Sequence, residues 1–540
     1  MVSLSLIILI LEAISVTFVR LWYLMFISII LAIIFGVLAA KVRIAEMIII
    51  PITDVLEAVP VISFFPIVLV LFLVDIGGQV GIELAVDFLI ITALLWNIIL
   101  GVYQAVTHIP TELVDATKVF KLGFWQRLRY LYVPASFPKI VANMMPSFAS
   151  GLFYITLSEV IYLGPKNFHV FGIGEVALQL ASQDNIPGEI IMLIILIIGI
   201  FLNFYLIINP LIRYSEKFTI EQEKSQEETE RTKGRNYLIN SVAQRTNQIV
   251  MAGVQVFASI NKISNYIPNR RIRDKFRLSE RAVNVVVGLI LILMLVISIY
   301  VIGQSGFSEA FVIYVINRTF LVDATLGTLY DLFRILIVYL VSLLTMVPLA
   351  IIAATHGRKG DTLNGLMQVI YAIPAPVFFP LIVVYLTPYF MKFMNFDFAF
   401  NFDVFIITYL AAASYIFFNV YGAVRSIPSE LVMVAKTFKF KWIGRLRYLI
   451  FPSIIPALIT GSMSAVGSYW AGLMVGEYIT VSGKTYSVSF GLMKMIDMAI
   501  ASGNLLYADA VDIYMVIIIV IISYLLWIRL YDYSKKRYAL

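Results

Sequence analysis

Two arginines and two glutamates recur as pairs inside the apolar runs of this 540-residue chain. Arg20 returns as Arg334, and Glu159 returns as Glu477. An ionisable group at membrane depth is costly, so it marks a functional or structural site by default. All four lie near the outer ends of their spans, where Arg20 can pair with Glu159 and Arg334 with Glu477. The plainer alternative is that each snorkels separately to the headgroups. Little other chemistry is on offer. Cysteine is absent, which excludes disulfides, thiolate metal sites and thiol nucleophiles. The three histidines, His108, His169 and His356, are too scattered for a metal site. No GxxxxGK[ST] phosphate loop occurs, so the chain has no means of hydrolysing ATP. No catalytic residue and no cofactor is expected.

The elements that hold these charges follow from composition. The chain is 61% hydrophobic and 14% charged, with mean hydropathy +0.93. Soluble domains sit nearer half apolar and a quarter charged. The fold class expected is all-α, a polytopic membrane protein. A span needs about 20 apolar residues. Spans fall near 14–40, 44–74, 88–107, 140–163 and 188–212, then 283–303, 329–355, 364–388, 404–424, 456–479 and 511–529. That makes eleven transmembrane helices, five in a first unit (1–212) and six in a second (283–540). Residues 213–282 between them are charged and read as a cytoplasmic linker, with an amphipathic helix over 237–264 lying on the membrane. The net charge is +7 and its distribution is sided. Lys41, Arg43, Arg358, Lys359, Lys535, Lys536 and Arg537 fall on one side. Asp75, Glu83, Asp87, Glu175, Asp331, Asp397, Asp497 and Asp512 fall on the other. The positive-inside rule makes the first side cytoplasmic, with the C-terminus inside and the N-terminus outside. No basic region precedes the first apolar run, so no cleavable signal is expected.

One stretch occurs twice. Residues 109–138 and 427–456 are identical at 15 of 30 aligned positions, and both mix Lys and Arg with apolar residues. Lipid does not tolerate such a segment, so both copies must face water. Each should form a short helix, a turn and a second helix. Pro110 and Pro428 suit a helix start, and Glu112 and Glu430 suit its first turn. A bland reading is an interfacial helix packed under its own spans. Presentation of two near-copies favours a docking surface for a two-fold partner. The repeat extends further: AVPVISFFPI (58–67) returns as AIPAPVFFPL (372–381). Its prolines Pro60, Pro66, Pro374 and Pro380 should break helices where backbone can line a pathway, unless they only serve packing. Gly151, Gly461, Gly467 and Gly472 suit close helix approach across the pseudo-two-fold axis. An even number of spans separates the two copies, so the halves form parallel repeats rather than inverted ones.

The duplicated stretch resembles the cytoplasmic EAA loop of ABC importer permeases. That loop carries a Glu-Ala-Ala core, a glycine and a Leu/Ile-x-x-Pro close. Asp115-Ala116-Thr117 stands in the core place, Lys121 in the glycine place, and Leu131 through Pro134 make the close. In the second copy these are Met433-Val434-Ala435, Lys439, and Leu449 through Pro452. With the IP-x-EL start and the AVPVISFFPI element, the likeness is to permeases of the nitrate/sulfonate/taurine type, over nearly all of both halves. The resemblance implies a type I ABC importer transmembrane domain with two permease units fused in one chain. It implies that Glu112, Asp115, Ala116, Lys118, Lys121, Glu430, Val434, Ala435, Lys436 and Lys439 couple to two ABC ATPase subunits. It further implies an extracytoplasmic substrate-binding protein, a small anion as cargo, and the cell membrane of a prokaryote as location. The rival readings are an ion-coupled secondary transporter with parallel repeats and a membrane-embedded transferase. The first would want acidic or histidine relays at mid-membrane, and the second a metal-binding Asp or His cluster. No nucleic-acid partner is implied.

Overall fold

The computed structural model describes residues 4–58, 76–163, 166–183, 185–218, 311–315, 317–481 and 484–538, with Val68 and Phe72. Two four-span sets emerge, eight helices in all that are long and apolar enough to cross a membrane among the described residues. The first half runs α1 (Leu4–Lys41), α2 (Arg43–Ala58), α3 (Gly78–Thr107), α4 (Thr111–Val119), α5 (Phe124–Ser158), α6 (Ile173–Ser182) and α7 (Ile186–Ser215). The second runs α8 (Arg318–Thr355), α9 (Gly357–Ile370), α10 (Ala375–Phe390), α11 (Phe396–Arg425), α12 (Ser429–Thr437), α13 (Trp442–Gly476), α14 (Leu492–Ser502) and α15 (Leu506–Trp527). Corresponding long helices have equal lengths: 38 residues in α1 and α8, 30 in α3 and α11, 35 in α5 and α13.

Three of the eleven expected spans are not among these eight helices of the described residues. The expected span 364–388 is two helices, because the chain turns at Ala372–Pro374 before α10 begins. Pro374 caps α10 from outside, whereas Pro380 lies inside it and does not end it. The expected spans 44–74 and 283–303 lie partly or wholly outside the described residues. So do Pro60, Pro66 and all but the first residues of the linker.

Two short hairpins are set into this all-α fold. β1 (Val160–Leu163) pairs antiparallel with β2 (Lys166–His169), and β3 (Tyr478–Val481) with β4 (Lys484–Ser487). Each hairpin stands between a long helix and a short one, at the end of the membrane helix where the backbone leaves its own ladder.

Several long helices start on an asparagine. Asn185, Asn317 and Asn395 accept from the backbone N–H groups of Gly188, Thr319 and Phe398 at 3.1, 3.0 and 3.0 Å. Such a cap satisfies one of the four orphan donors of a helix start and stabilises it by about 1 kcal/mol. In the second half α11 and α13 pack most closely, and in the first α3 packs closely against both α1 and α5. The glycines of the fifth and thirteenth helices serve these contacts. A Cβ at Gly151 would lie 2.6 Å from Leu21 Cδ2 and 2.8 Å from Leu94 Cδ2, and one at Gly472 would lie 2.8 Å from Thr408 Cα. The close approach is thus made inside a half, and the expectation that it crosses the pseudo-two-fold axis is corrected for Gly151, Gly461 and Gly472. The halves join by exchange of side chains. Phe153 of α5 packs into the core of the second half, while Val369, Ala372 and Val377 pack into the core of the first.

Two glycines carry an approach that no other residue fits. Gly172 and Gly491 precede α6 and α14, with extended backbone at φ 172° and 179°. A Cβ there would lie 1.9 Å from Glu159 Oε1 and 2.1 Å from Glu477 Oε2. Alanine at either site must displace a buried carboxylate, at a cost of about 1–3 kcal/mol or more. Gly172→Ala and Gly491→Ala should each lower the melting temperature in detergent. Gly422→Ala, in α11 with open space around its Cβ, should raise it by the equivalent of about 0.5–1 kcal/mol. Equal effects at all three sites would contradict the contact.

Candidate functional site

Two regions gather the residues singled out in the sequence. The first is the loop and short helix that follow α3 and α11. In the first half α4 starts at Pro110 and ends at Phe120, and Lys121 then turns the chain at φ 51°. The N–H of Leu122 donates to Thr117 C=O at 3.0 Å, and that of Lys121 to Lys118 C=O at 2.9 Å. These two bonds define a Schellman cap, which requires a left-handed residue after the helix and usually takes glycine. The second half repeats it. Lys439 stands at φ 52°, Phe440 N–H donates to Ala435 C=O at 3.0 Å, and Lys439 N–H to Lys436 C=O at 2.9 Å. Among the described residues these two lysines are the only non-glycines with positive φ. The glycine-type turn is therefore kept without the glycine, at a strain of about 1–2 kcal/mol per residue.

Beyond the turn, a single π-helical turn joins the short helix to the span, at Leu128–Tyr132 and again at Leu446–Ile450. Val133 N–H reaches Leu128 C=O, and Phe451 N–H reaches Leu446 C=O. Pro134 and Pro452 follow at once and supply no N–H of their own, so the widened turn falls where the regular ladder is already broken.

Glu112, Asp115, Ala116, Lys118 and Lys121 are exposed on this loop, as are Glu430, Val434, Lys436 and Lys439. Ala435 and its counterpart Thr117 are buried and seat the helix. Lys118 Nζ lies 2.8 Å from Asp115 Oδ1, but both side chains are about two-thirds exposed (64% and 65%), so the pair adds at most about 1 kcal/mol. Sequence reasoning passed over the apolar part of the surface. Val119, Phe120 and Trp125 are 77%, 75% and 77% exposed, and Phe438 and Ile443 are 71% and 76% exposed. Phe120 and Phe438 occupy equivalent places, as do Trp125 and Ile443. That recurrence was the available signal.

The second region is the end of α5 and α13 away from the loops, where Glu159 and Glu477 are fully buried. Glu159 accepts from Thr17 Oγ1 at 2.9 Å and from the N–H of Gly174 at 2.6 Å. Thr17 Oγ1 in turn accepts from Ile173 N–H at 3.0 Å. Glu477 accepts from the N–H of Lys494 at 3.0 Å and from Arg334 Nη1 at 2.8 Å. Each glutamate is thus a carboxylate held at the start of a short helix, α6 or α14, where orphan N–H groups favour an anion. The main chain closes the same ring: Val170 N–H donates to Glu159 C=O and Val488 N–H to Glu477 C=O, both at 3.0 Å.

The expected ion pairs divide between the halves. Arg334 and Glu477 are brought together. Arg20 is not brought onto Glu159: its Nη2 lies 2.6 Å from Glu83 Oε2, and its Nε 3.8 Å from Asp87 Oδ1. The reason is a relocated carboxylate. Thr17 in α1 corresponds to Asp331 in α8, and Glu83 in α3 corresponds to Asn401 in α11. Arg334 contacts Asp331 Oδ1 at 3.0 Å and Asn401 Oδ1 at 2.8 Å, while Asp331 Oδ2 accepts from Leu492 N–H at 2.8 Å. Each set holds one arginine and the buried glutamate, with Glu83 and Asp87 beside the arginine in the first half and Asp331 in the second. The guanidinium follows those further carboxylates, inward in the second half and toward α3 in the first. Thr17 and Asn401 were not singled out from the sequence, and Glu83 was named only as a charge of the acidic side. Reading each position against its counterpart around Arg20 and Arg334 would have found them.

Between the halves lies a cavity of about 200 Å³, bounded by α3, α5, α9, α11 and α13 and by Pro374. Ser150 Oγ and Tyr415 Oη meet across it at 2.8 Å. No group of three or more acidic, histidine or cysteine side chains able to hold a metal occurs among the described residues.

Comparison with known proteins follows the same outline. A family model described as "Binding-protein-dependent transport system inner membrane component" matches residues 5–215 and 346–539. Over 103 residues, 19% of this chain, the sequence is 27% identical to a protein of Bacillus subtilis (strain 168) named as an aliphatic sulfonates transport permease. Over 175 residues, 32% of this chain, it is 26% identical to the osmoprotectant import permease protein OsmW of Salmonella typhimurium (strain LT2). The matched stretch spans 36% of the first relative and 77% of the second.

The two arginines should respond differently to neutralisation. Arg334→Gln leaves two fully buried carboxylates without their cation, a loss of about 3–5 kcal/mol. Arg20→Gln exposes Glu83 and Asp87, which are 39% and 22% exposed, a loss of about 0–1 kcal/mol. Melting temperatures of the two variants in detergent measure this, and equal losses would count against the relocation. At the loop turns, Lys121→Gly and Lys439→Gly should each stabilise by about 1 kcal/mol, read from the same melts.

Proposed function

This chain belongs to the family of binding-protein-dependent transport system inner membrane components, and from that premise we propose that it is the fused membrane component of an ABC-type importer. The observation that carries this reading is the duplicated loop: two surfaces of one shape, each with a strained lysine turn and a protruding aromatic. Phe120 and Trp125, and their counterparts Phe438 and Ile443, are each more than two-thirds exposed, and exposed apolar side chains grouped on one loop mark an interaction site. The same stretches carry Lys118, Lys121 and Arg129, or Lys436, Lys439 and Arg447.

The partners in this reading are two ABC ATPase subunits, one per loop. Closure of those subunits around ATP pulls on α4 and α12. The Schellman turn and the π-turn transmit the pull to α5 and α13, which line the cavity between the halves. Units 1–212 and 283–540 are then two permeases joined by the linker 213–282. In this reading α10 and the stretches expected at 44–74 and 283–303 also cross the membrane, which makes the halves parallel and places both loops in the cytoplasm, with the N-terminus outside. An extracytoplasmic binding protein delivers cargo to the outer end. The small anion that the family resemblance implies finds no lysine, arginine or histidine among the described residues lining the cavity.

Phe120→Asp together with Phe438→Asp should abolish recovery of the ATPase subunits in co-purification from detergent, while the melting temperature changes little because both side chains are exposed. Undiminished recovery would sink the docking role. Topology is checked in the same Cys-free background. Gly123→Cys and Lys441→Cys should both react with a membrane-impermeant thiol reagent from the cytoplasmic side only. Reaction from opposite sides would mean inverted halves.

A further inference from the structure

The cavity between the halves has an uncharged but strongly hydrogen-bonding wall. Five amide side chains line it, Asn97, Gln104, Asn143, Gln368 and Asn419, with several serine, threonine and tyrosine hydroxyls. No lysine, arginine, histidine, aspartate or glutamate occurs among its described lining residues. A wall of this kind offers no countercharge. An ion entering it would lose hydration without gaining a partner, which is the costly case. A polar solute with no net charge exchanges water hydrogen bonds for amide ones and loses little.

A reciprocal exchange between the halves also points to a hydrogen-bonding occupant. In the first half Gly101 of α3 faces Asn143 of α5, and a Cβ at Gly101 would lie 2.4 Å from Asn143 Nδ2. In the second half the positions are exchanged: Asn419 of α11 faces Gly461 of α13, where a Cβ would lie 2.9 Å from Asn419 Cβ. Both amides donate to their own helix, Asn143 to Lys139 C=O at 3.0 Å and Asn419 to Tyr415 C=O at 2.9 Å. Packing alone needs one small and one larger residue at this crossing. An amide is nonetheless the larger residue in both halves, reached from opposite helices, and both amides line the cavity.

We propose that this cavity takes a small polar solute without net charge, held through amide and hydroxyl hydrogen bonds. The assignment rests on the importer reading and deepens it by naming the class of cargo. At about 200 Å³ the space equals about six or seven water molecules at about 30 Å³ each, so the solute is small.

The test uses the full chain in detergent, with Ser414→Cys or Ser468→Cys introduced into the cavity wall and Gly123→Cys as a surface reference. Three methanethiosulfonate reagents of similar size are compared: neutral hydroxyethyl, anionic sulfonatoethyl and cationic trimethylammonioethyl. Relative to the surface thiol, the cavity thiol should favour the neutral reagent over each charged one by at least about tenfold. Asn143→Lys, which places a cation in the wall, should bring the anionic reagent back to within about threefold of the neutral one. An anionic or cationic reagent reacting as fast as the neutral one would overturn the assignment. So would a cavity thiol inert to all three while Gly123→Cys reacts, because the space would then admit no solute. No ATPase subunit is needed for these rates. Loss of subunit binding through the loops and loss of neutral selectivity in the cavity are therefore separate failures.

Discussion

A carboxylate buried at the end of a membrane helix must be satisfied from somewhere, and much of the end of this protein away from the loops is arranged to do it. Glu159 and Glu477 end α5 and α13 with no exposure to solvent. Their oxygens are met by the first N–H groups of α6 and α14. That contact draws each short helix back against the bundle, forces the intervening backbone into a hairpin, and admits only glycine at Gly172 and Gly491. Leaving such a carboxylate without its partners would cost several kcal/mol. The hairpin, the short helix and the following span are in this sense consequences of one buried charge in each half.

The two halves preserve local roles rather than residues. Each charged cluster keeps one arginine and one buried glutamate, but the further carboxylates stand on α3 in one half (Glu83 and Asp87) and on α8 in the other (Asp331). Each inner crossing keeps one glycine and one asparagine on opposite helices. Each loop keeps a protruding aromatic and a left-handed lysine. What persists after duplication is a partner for each buried charge, the local volume and the backbone conformation, because these are the quantities that a low-dielectric, close-packed interior penalises. The identity of the residue that supplies them is free to change sides. This also accounts for the failure of a symmetric pairing rule. Arg20 and Arg334 have the same position and different partners, since a guanidinium goes to the nearest uncompensated carboxylate.

Membrane character, two homologous halves, a pair of water-facing loops and membership of a transport family were all legible in the chain. They depend on composition, hydropathy and repetition, which are linear properties. The lysines at the glycine place left the turn open, and the structure closes it with φ 51° and 52°. The span count was less legible. Proline at 374 announced a break, but an apolar run of sufficient length still read as one span across it. The glycines of α5 and α13 were recognised as contact residues, yet their partners belong to the same half.

By itself the sequence determined which segments must leave water and which must face it, because a bilayer sorts a chain residue by residue through transfer free energy. It also determined that one surface is presented twice, because the repeat is written in the order of residues. Only the tertiary structure decided which charge meets which, that the two hairpins form, and that the space between the halves is walled with amides and free of charge among its described residues. Those outcomes depend on which helix faces which at a given depth. Such distances join residues far apart in the chain, as with Thr17 and Glu159 or Ser150 and Tyr415, and no local pattern records them.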